Sequence, residues 1–380
     1  MITGTRLSLG RVIPLVIAMV MVLDVAAHAL PAEWVAFRAW EVVTRYPIGA
    51  GHFTPNAHYE NEDSFGDLAA LANRPDWRAY RRETFTVDRA GFRKNPGATD
   101  STVYKAIIIG DSFGVGSGVS DNETLAVELE RETGRPTFNA ASLPIDLRHL
   151  LPLVDQLRIS RGVVLYEYLE REDLPSSSLV YTQPLIANER VFRAASVAAK
   201  VWKGFWDICP LTILSQGFYK RLEREGALPD DYGGNVVAAS LRGGSRMLFL
   251  PSEIANFRKA HAFDLSGMLT MRDALAARGL EFRMVLVPEK HTVYAPLLAN
   301  PPAEPSALYL NVLEEKLRAA GISVVNLLPV FRQAAAEQLS TGRRLYLDDD
   351  THWNADGVRL AAETVSDSER KELTLVLKKQ

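Results

Sequence analysis

Residues 104–116 read Tyr-Lys-Ala-Ile-Ile-Ile-Gly-Asp-Ser-Phe-Gly-Val-Gly, and this order of side chains restricts the fold more than any other stretch of the chain. Ala106 to Ile109 is a short unbroken apolar run, the pattern of a strand buried on both faces of a parallel sheet. A Gly-Asp-Ser turn follows at once. Ser120-Asp121-Asn122-Glu123 then supplies helix-start chemistry, 124–132 has helical spacing, and Gly134 fits a C-terminal cap. Ser112 is therefore expected at the carboxyl end of a buried strand, where open α/β sheets put their ligands. The glycines at 114, 116 and 118 do not have dinucleotide-fingerprint spacing.

The rest of the chain continues the alternation. Strands are expected at 137–142, 162–168, 282–288 and 324–328, with helices at 147–158, about 253–278 and near 311–321. This rhythm calls for a parallel sheet with helices on both faces. Between 174 and 251 it breaks, and a helical and glycine-rich insertion is expected there. Residues 31–45 have helical spacing, 46–95 are expected to be mostly irregular with an edge hairpin at their end, and 366–380 are expected to form a tail.

A nucleophilic serine needs a base, and the base needs a group to hold its ring. Among seven histidines, His352 lies in Leu347-Asp348-Asp349-Asp350-Thr351-His352-Trp353-Asn354-Ala355-Asp356-Gly357. An acidic residue two or three before it can accept from the imidazole, which makes Asp349 and Asp350 the candidates.

Together the two stretches resemble the first and last blocks of the SGNH (GDSL-type) hydrolase superfamily. The Asp350-Thr351-His352-Trp353 order is similar to the periplasmic alginate O-acetyltransferase branch, and on that resemblance Asp350 is the expected partner of His352. Pro288-Glu289-Lys290-His291-Thr292-Val293-Tyr294 resembles a segment of the same branch, which implies that Lys290 and Tyr294 lie by the substrate. Phe85 to Arg93 is similar to a lead-in found before the serine block of exported relatives. The resemblance implies a flavodoxin-like SGNH sheet spanning 96–365, catalysis by Ser112, His352 and Asp350, and an oxyanion held by the amides of Ser112 and Ser142. It also implies a polysaccharide substrate, a membrane-bound acyl-donor protein as partner, and no cofactor. Two places depart from the superfamily. Ala141 or Ser142 stands where its second block has glycine, and Glu170-Arg171-Glu172-Asp173 stands where its third block has an Asn donor. Losing one oxyanion donor costs about 10² to 10³ in rate, so a catalytically silent glycan-binding scaffold is the alternative reading.

Charge and composition narrow the partners. A net charge of -3 leaves no basic footprint for nucleic acid. Cys209 is the only cysteine, which excludes an internal disulfide and a cysteine zinc site. Three consecutive aspartates beside His352 resemble a cation site, but without a glycine to turn the backbone they are not expected to converge, and a serine nucleophile needs no Lewis acid. No metal is expected. Arg6 and Arg11 precede an apolar run and Ala27-His28-Ala29, so residues 1–30 are expected to be a secretory signal or an inner-membrane anchor, with the remainder facing the periplasm or exterior.

Overall fold

A computed structural model of the chain describes residues 9–28, 39, 53–141, 146–177, 218, 222, 236–257 and 263–377. Two compact units are present, Met1–Phe37 with Pro184–Ala227, and Arg38–Gln183 with Leu228–Gln380. In the first, Leu9–His28 is helical and exposes Val12, Ile13, Leu15, Val16, Met19 and Val22. Among the described residues no helix is long and apolar enough to cross a membrane. The helix expected at 31–45 and most of the insertion expected at 174–251 lie outside the described residues.

The second unit carries the strands: β1 (His58–Ser64), β2 (Arg81–Thr86), β3 (Ala106–Ile109), β4 (Thr137–Asn139), β5 (Gly162–Leu169), β6 (Val237–Ser240), β7 (Arg246–Phe249), β8 (Leu280–Val287) and β9 (Ser323–Asn326). Five of them form a parallel sheet in the order β4-β3-β5-β8-β9. Counted within this sheet, the order is 2-1-3-4-5, that of flavodoxin-like folds. The chain leaves β3 for one edge and returns on the other side through β5. Connections diverge there, and Gly110-Asp111-Ser112 follows β3 at this switch point, the place where open α/β sheets put their ligands. Every residue of β3, and all of β5 after Gly162, is buried. Burial at consecutive positions requires cover on both faces, because neighbouring side chains point to opposite sides.

Two helices flank the serine loop in sequence and in space. Ser112–Val115 is a single turn capped by Asp111, whose carboxylate accepts from the Phe113 amide at 2.8 Å, and it ends on Gly116 with φ 90°. Leu125–Thr133 starts on the Thr124 hydroxyl, ends on left-handed Gly134, and packs against the C-terminal helix Ala355–Leu377. That last helix corrects the expected tail, since it runs unbroken through 366–377. A single helix over 253–278 is also replaced by two, Pro251–Asn256 and Ser266–Ala276. The physical reason lies in the junction, where Asp264 accepts from the Ser266 amide at 2.9 Å and begins the second helix anew.

The lead-in is more ordered than composition implied. β1 and β2 pair antiparallel, with Tyr59 opposite Phe85. Asp88 closes the following turn by accepting from the amides of Ala90 and Phe92, and Gly91 takes φ 88°. The turn sends Arg93 inward. Its guanidinium donates to the carbonyls of Thr84, Val115, Gly116 and Val119, pairs with Asp121 at 3.2 Å, and lies 4.2 Å from the centre of the Phe85 ring. One buried arginine thus ties the lead-in to the loop behind Ser112. Replacing Arg93 with Ala takes the buried charge partner from Asp121 and the guanidinium donors from these carbonyls, and a loss of about 3–5 kcal/mol is expected. Urea denaturation checks this, and an unchanged midpoint would refute it.

Candidate active site

Ser112 stands half-buried at the end of β3, and the groups beneath it are buried. Glu167, opposite Gly110 on β5, accepts from the amides of Asp111 at 3.0 Å and Gly114 at 3.1 Å through one oxygen. A Cβ at Gly110 would sit 2.4 Å from that oxygen, so glycine is needed for the approach. Burial pushes the Glu167 carboxyl well above its ordinary range, and the Asp111 charge pushes it further the same way. Asn139, at the end of β4, donates to the Gly114 carbonyl at 3.0 Å. Neither side chain stood out in the sequence, because a Glu within a strand and an Asn at a strand end have many bland uses.

His352 arrives from the other end of the chain. Its Nε2 is 2.8 Å from Ser112 Oγ, across 240 residues of sequence. Its Nδ1 is 2.6 Å from Asp350 Oδ1, which also accepts the His352 amide at 3.0 Å. Phe113 packs against the imidazole with ring centres 4.6 Å apart and planes tilted by 41°, and the buried Trp353 ring stands 5.4 Å from Phe113. Ser112, His352 and Asp350 are thus in one hydrogen-bonded line. Asp349 points elsewhere. Its carboxylate accepts from the amides of Gly66 at 2.8 Å and Ala79 at 2.9 Å, and its carbonyl accepts from Leu68 and Ala69, each at 3.1 Å. Asp349 and Asp350 share one cation, Arg81, at 3.0 and 3.2 Å, while the Asp348 side chain is exposed.

Lys290 and Tyr294 correct an expectation. Both are fully buried under the Asp-His loop rather than facing a substrate. Lys290 Nζ donates to the carbonyls of Leu347 at 2.6 Å, Asp348 at 3.1 Å and Asp350 at 2.9 Å, while Tyr294 accepts the Leu345 amide at 2.9 Å. An ammonium with three donors satisfies three converging carbonyls, so these residues shape the loop that carries His352. Ser142 lies outside the described residues. The Ala141 amide is occupied by Asn139 Oδ1 at 3.2 Å, which removes Ala141 as an oxyanion donor.

Asp67, Asp350 and His352 bring ligand-type atoms within 4.8 Å of one another. Their donors and acceptors are already matched. Both Asp67 oxygens accept from Thr351, through its amide and its hydroxyl at 2.8 Å each, and both imidazole nitrogens face the partners given above.

Residues 243–380 match the family model for the SGNH hydrolase-like domain of the acetyltransferase AlgX. The domain is SGNH-like. The matched stretch holds Lys290, Tyr294, Asp350 and His352, whereas Ser112 precedes it. None of the curated proteins matches the chain.

Beside the line of Ser112, His352 and Asp350, the segment after β5 builds a buried charged cluster. Arg171 pairs with Glu289 at 3.2 Å and lies 5.9 Å from the centre of the Phe113 ring. Burial pulls its guanidinium down, but Glu289, Glu253 and Asp111 hold it above its ordinary value. Glu170 accepts the Glu289 amide at 2.8 Å, and burial pushes its carboxyl up to about 7 against the lowering effect of that bond. The folded chain therefore keeps a proton on Glu170 that the unfolded chain releases near 4.5. Stability from this group is full below about pH 4.5 and is lost as pH rises to about 7. Glu170→Gln keeps the acceptor and removes the titration. Thermal melts at pH 5 and pH 8 should show a smaller fall for this variant, by on the order of 2 kcal/mol, and an equal fall in both proteins would refute the assignment.

Proposed function

We propose that this protein is an exported serine-dependent O-acyltransferase or acyl-esterase acting on a polysaccharide. The observation that supports it most is the line from Asp350 through His352 to Ser112, with contacts of 2.6 and 2.8 Å. A serine alone is a poor nucleophile. An imidazole at hydrogen-bond distance, held in one tautomer by a carboxylate, makes it a good one.

In the proposed reaction Ser112 Oγ attacks the carbonyl of an acyl ester, most simply acetyl, while His352 Nε2 takes the hydroxyl proton. The carbonyl oxygen becomes an oxyanion facing the Ser112 amide and, by expectation, that of Ser142. His352 returns the proton to the leaving oxygen as the tetrahedral centre collapses to acyl-Ser112. A hydroxyl of sugar or water then gives its proton to His352 and attacks the acyl carbon, and His352 returns that proton to Ser112 Oγ as the acyl–serine bond breaks. Transfer and hydrolysis differ only in that acceptor. Asp350 keeps the ring oriented and offsets the positive charge that it gains in each half-reaction.

Similarity to the SGNH hydrolase-like domain of an acetyltransferase favours acyl chemistry. A net charge of -3, with no basic footprint, is compatible with a glycan acceptor. The helix Leu9–His28, with its exposed apolar side chains, fits an export signal, and a membrane-bound acyl donor would be the partner for the transfer branch of this reading. The complete triad weighs against a silent scaffold.

Release of acetate from a chromogenic acetyl ester tests the reading. Ser112→Ala and His352→Ala should each lose almost all activity, and Asp350→Asn should lose about 10³ to 10⁴ in kcat. Asp349→Asn should lose far less, and dialysis against EDTA should change nothing. Equal rates for the parent and Ser112→Ala would remove the serine mechanism.

A further inference from the structure

The triad described above has a neighbour that its mechanism does not use. Asp350 is fully buried, and its Oδ1 is committed to His352. Its Oδ2 accepts from Arg81 Nη2 at 3.2 Å and from the Asp67 amide at 3.1 Å. The other terminal nitrogen of Arg81 reaches Asp349 Oδ1 at 3.0 Å. One guanidinium thus spans two adjacent carboxylates, and it comes from β2, outside the parallel sheet. We infer that Arg81 is a positioning residue that sets the protonation of the catalytic base, by giving Asp350 a permanent cation so that His352 need not supply one.

The charges around the imidazole make this necessary. Carboxylates lie near it on the loop itself (Asp349, Asp350), ahead of β2 (Asp67) and on β2 (Glu83), while Asp348 is half exposed beside Arg344. The nearby cations are Arg81 and Lys290, and on the far side of Phe113 there is Arg171. Lys290 spends its three donors on carbonyls, which leaves Arg81 as the described cation bonded to the Asp350 carboxylate. A buried carboxylate without a cation holds on to the nearest transferable proton. For Asp350 that proton would be on His352, and an imidazole that keeps it cannot accept one from Ser112. A guanidinium never releases its own proton and can bond both aspartates at once, which makes arginine suited to this place.

The inference rests on the proposed triad, but it can be read without turnover. In the full-length protein, Arg81→Met should move the acid limb of kcat/KM to higher pH by on the order of one unit, with activity recovered above it. Arg81→Lys, which keeps the charge, should leave the limb close to that of the parent. Asp349→Asn removes a competing carboxylate and should move it to lower pH, which provides a second measurement if Arg81→Met does not fold. The ring signals of His352 in a ¹³C-labelled protein, assigned by loss in His352→Gln, should shift over the same pH intervals. A purely structural Arg81 would lower the rate at every pH and move neither the limb nor the ring signals, and that result overturns the inference. Ring signals that move as expected in a protein without esterase activity would instead count against the proposed function and leave this one standing.

Discussion

The anchoring of the Asp-His loop is the constraint on which the rest of the site depends. Residues 347–352 belong to no helix or strand, and they must meet Ser112 to within a hydrogen bond across 240 residues of sequence. Lys290 holds three of the loop's carbonyls from below, and Asp349 gathers four amides of the lead-in from the side. The loop also pairs with its own continuation, through Leu347 to the His352 carbonyl and through the bridge from Tyr346 to Trp353. Lys290, Asp349, Tyr346, His352 and Trp353 are buried, so releasing a polar group among them would leave it short of water or a partner. A loop held this way has little freedom to shift His352, which is the condition for a base that must act within a few tenths of an ångström.

The serine side is held by a different device. Its turn is gripped from below by Glu167, at the edge by Asn139 and from behind by Arg93, each from a separate element. Glu167 accepts two amides with one oxygen, and burial favours its protonated form. After β5 a denser group of ionisable side chains, Glu170, Glu253, Glu289, Arg171 and Lys290, collects, all but Arg171 buried. Burial pushes Glu170 and Glu253 each up to about 7, so the cluster carries less charge than its composition implies. Clusters of this kind collect at functional sites, where geometry is maintained at some cost in stability.

Much of the scaffold was legible because parallel sheets write themselves plainly into sequence. β3 is an apolar run and β5 and β8 are mostly apolar, since both of their faces are covered, and the alternation of strands with helices called for a parallel sheet. What was hidden fell into two kinds. β1 is His-Tyr-Glu-Asn-Glu-Asp-Ser, with most of its side chains exposed or half-exposed, and its order comes from pairing with β2 rather than from its own pattern. The break between the helices Pro251–Asn256 and Ser266–Ala276 was hidden because no Pro interrupts that stretch, only an aspartate that can cap as easily as it can be solvated.

By itself the sequence determined which residue types could do chemistry here: a serine after a buried strand, a histidine with aspartates before it, and a single cysteine, too few for a disulfide or a cysteine zinc centre. Local chemistry is enough for this, because strand burial, turn formation and side-chain reactivity are properties of short stretches. Only the tertiary structure decided that Asp350 rather than Asp349 turns toward the imidazole, that Lys290 and Tyr294 lie under the loop instead of in front of it, and that Arg81 reaches the triad at all. Those roles depend on which backbone amides and carbonyls are left needing partners once distant segments have packed. That need exists only in the folded chain, where water is no longer available to meet it.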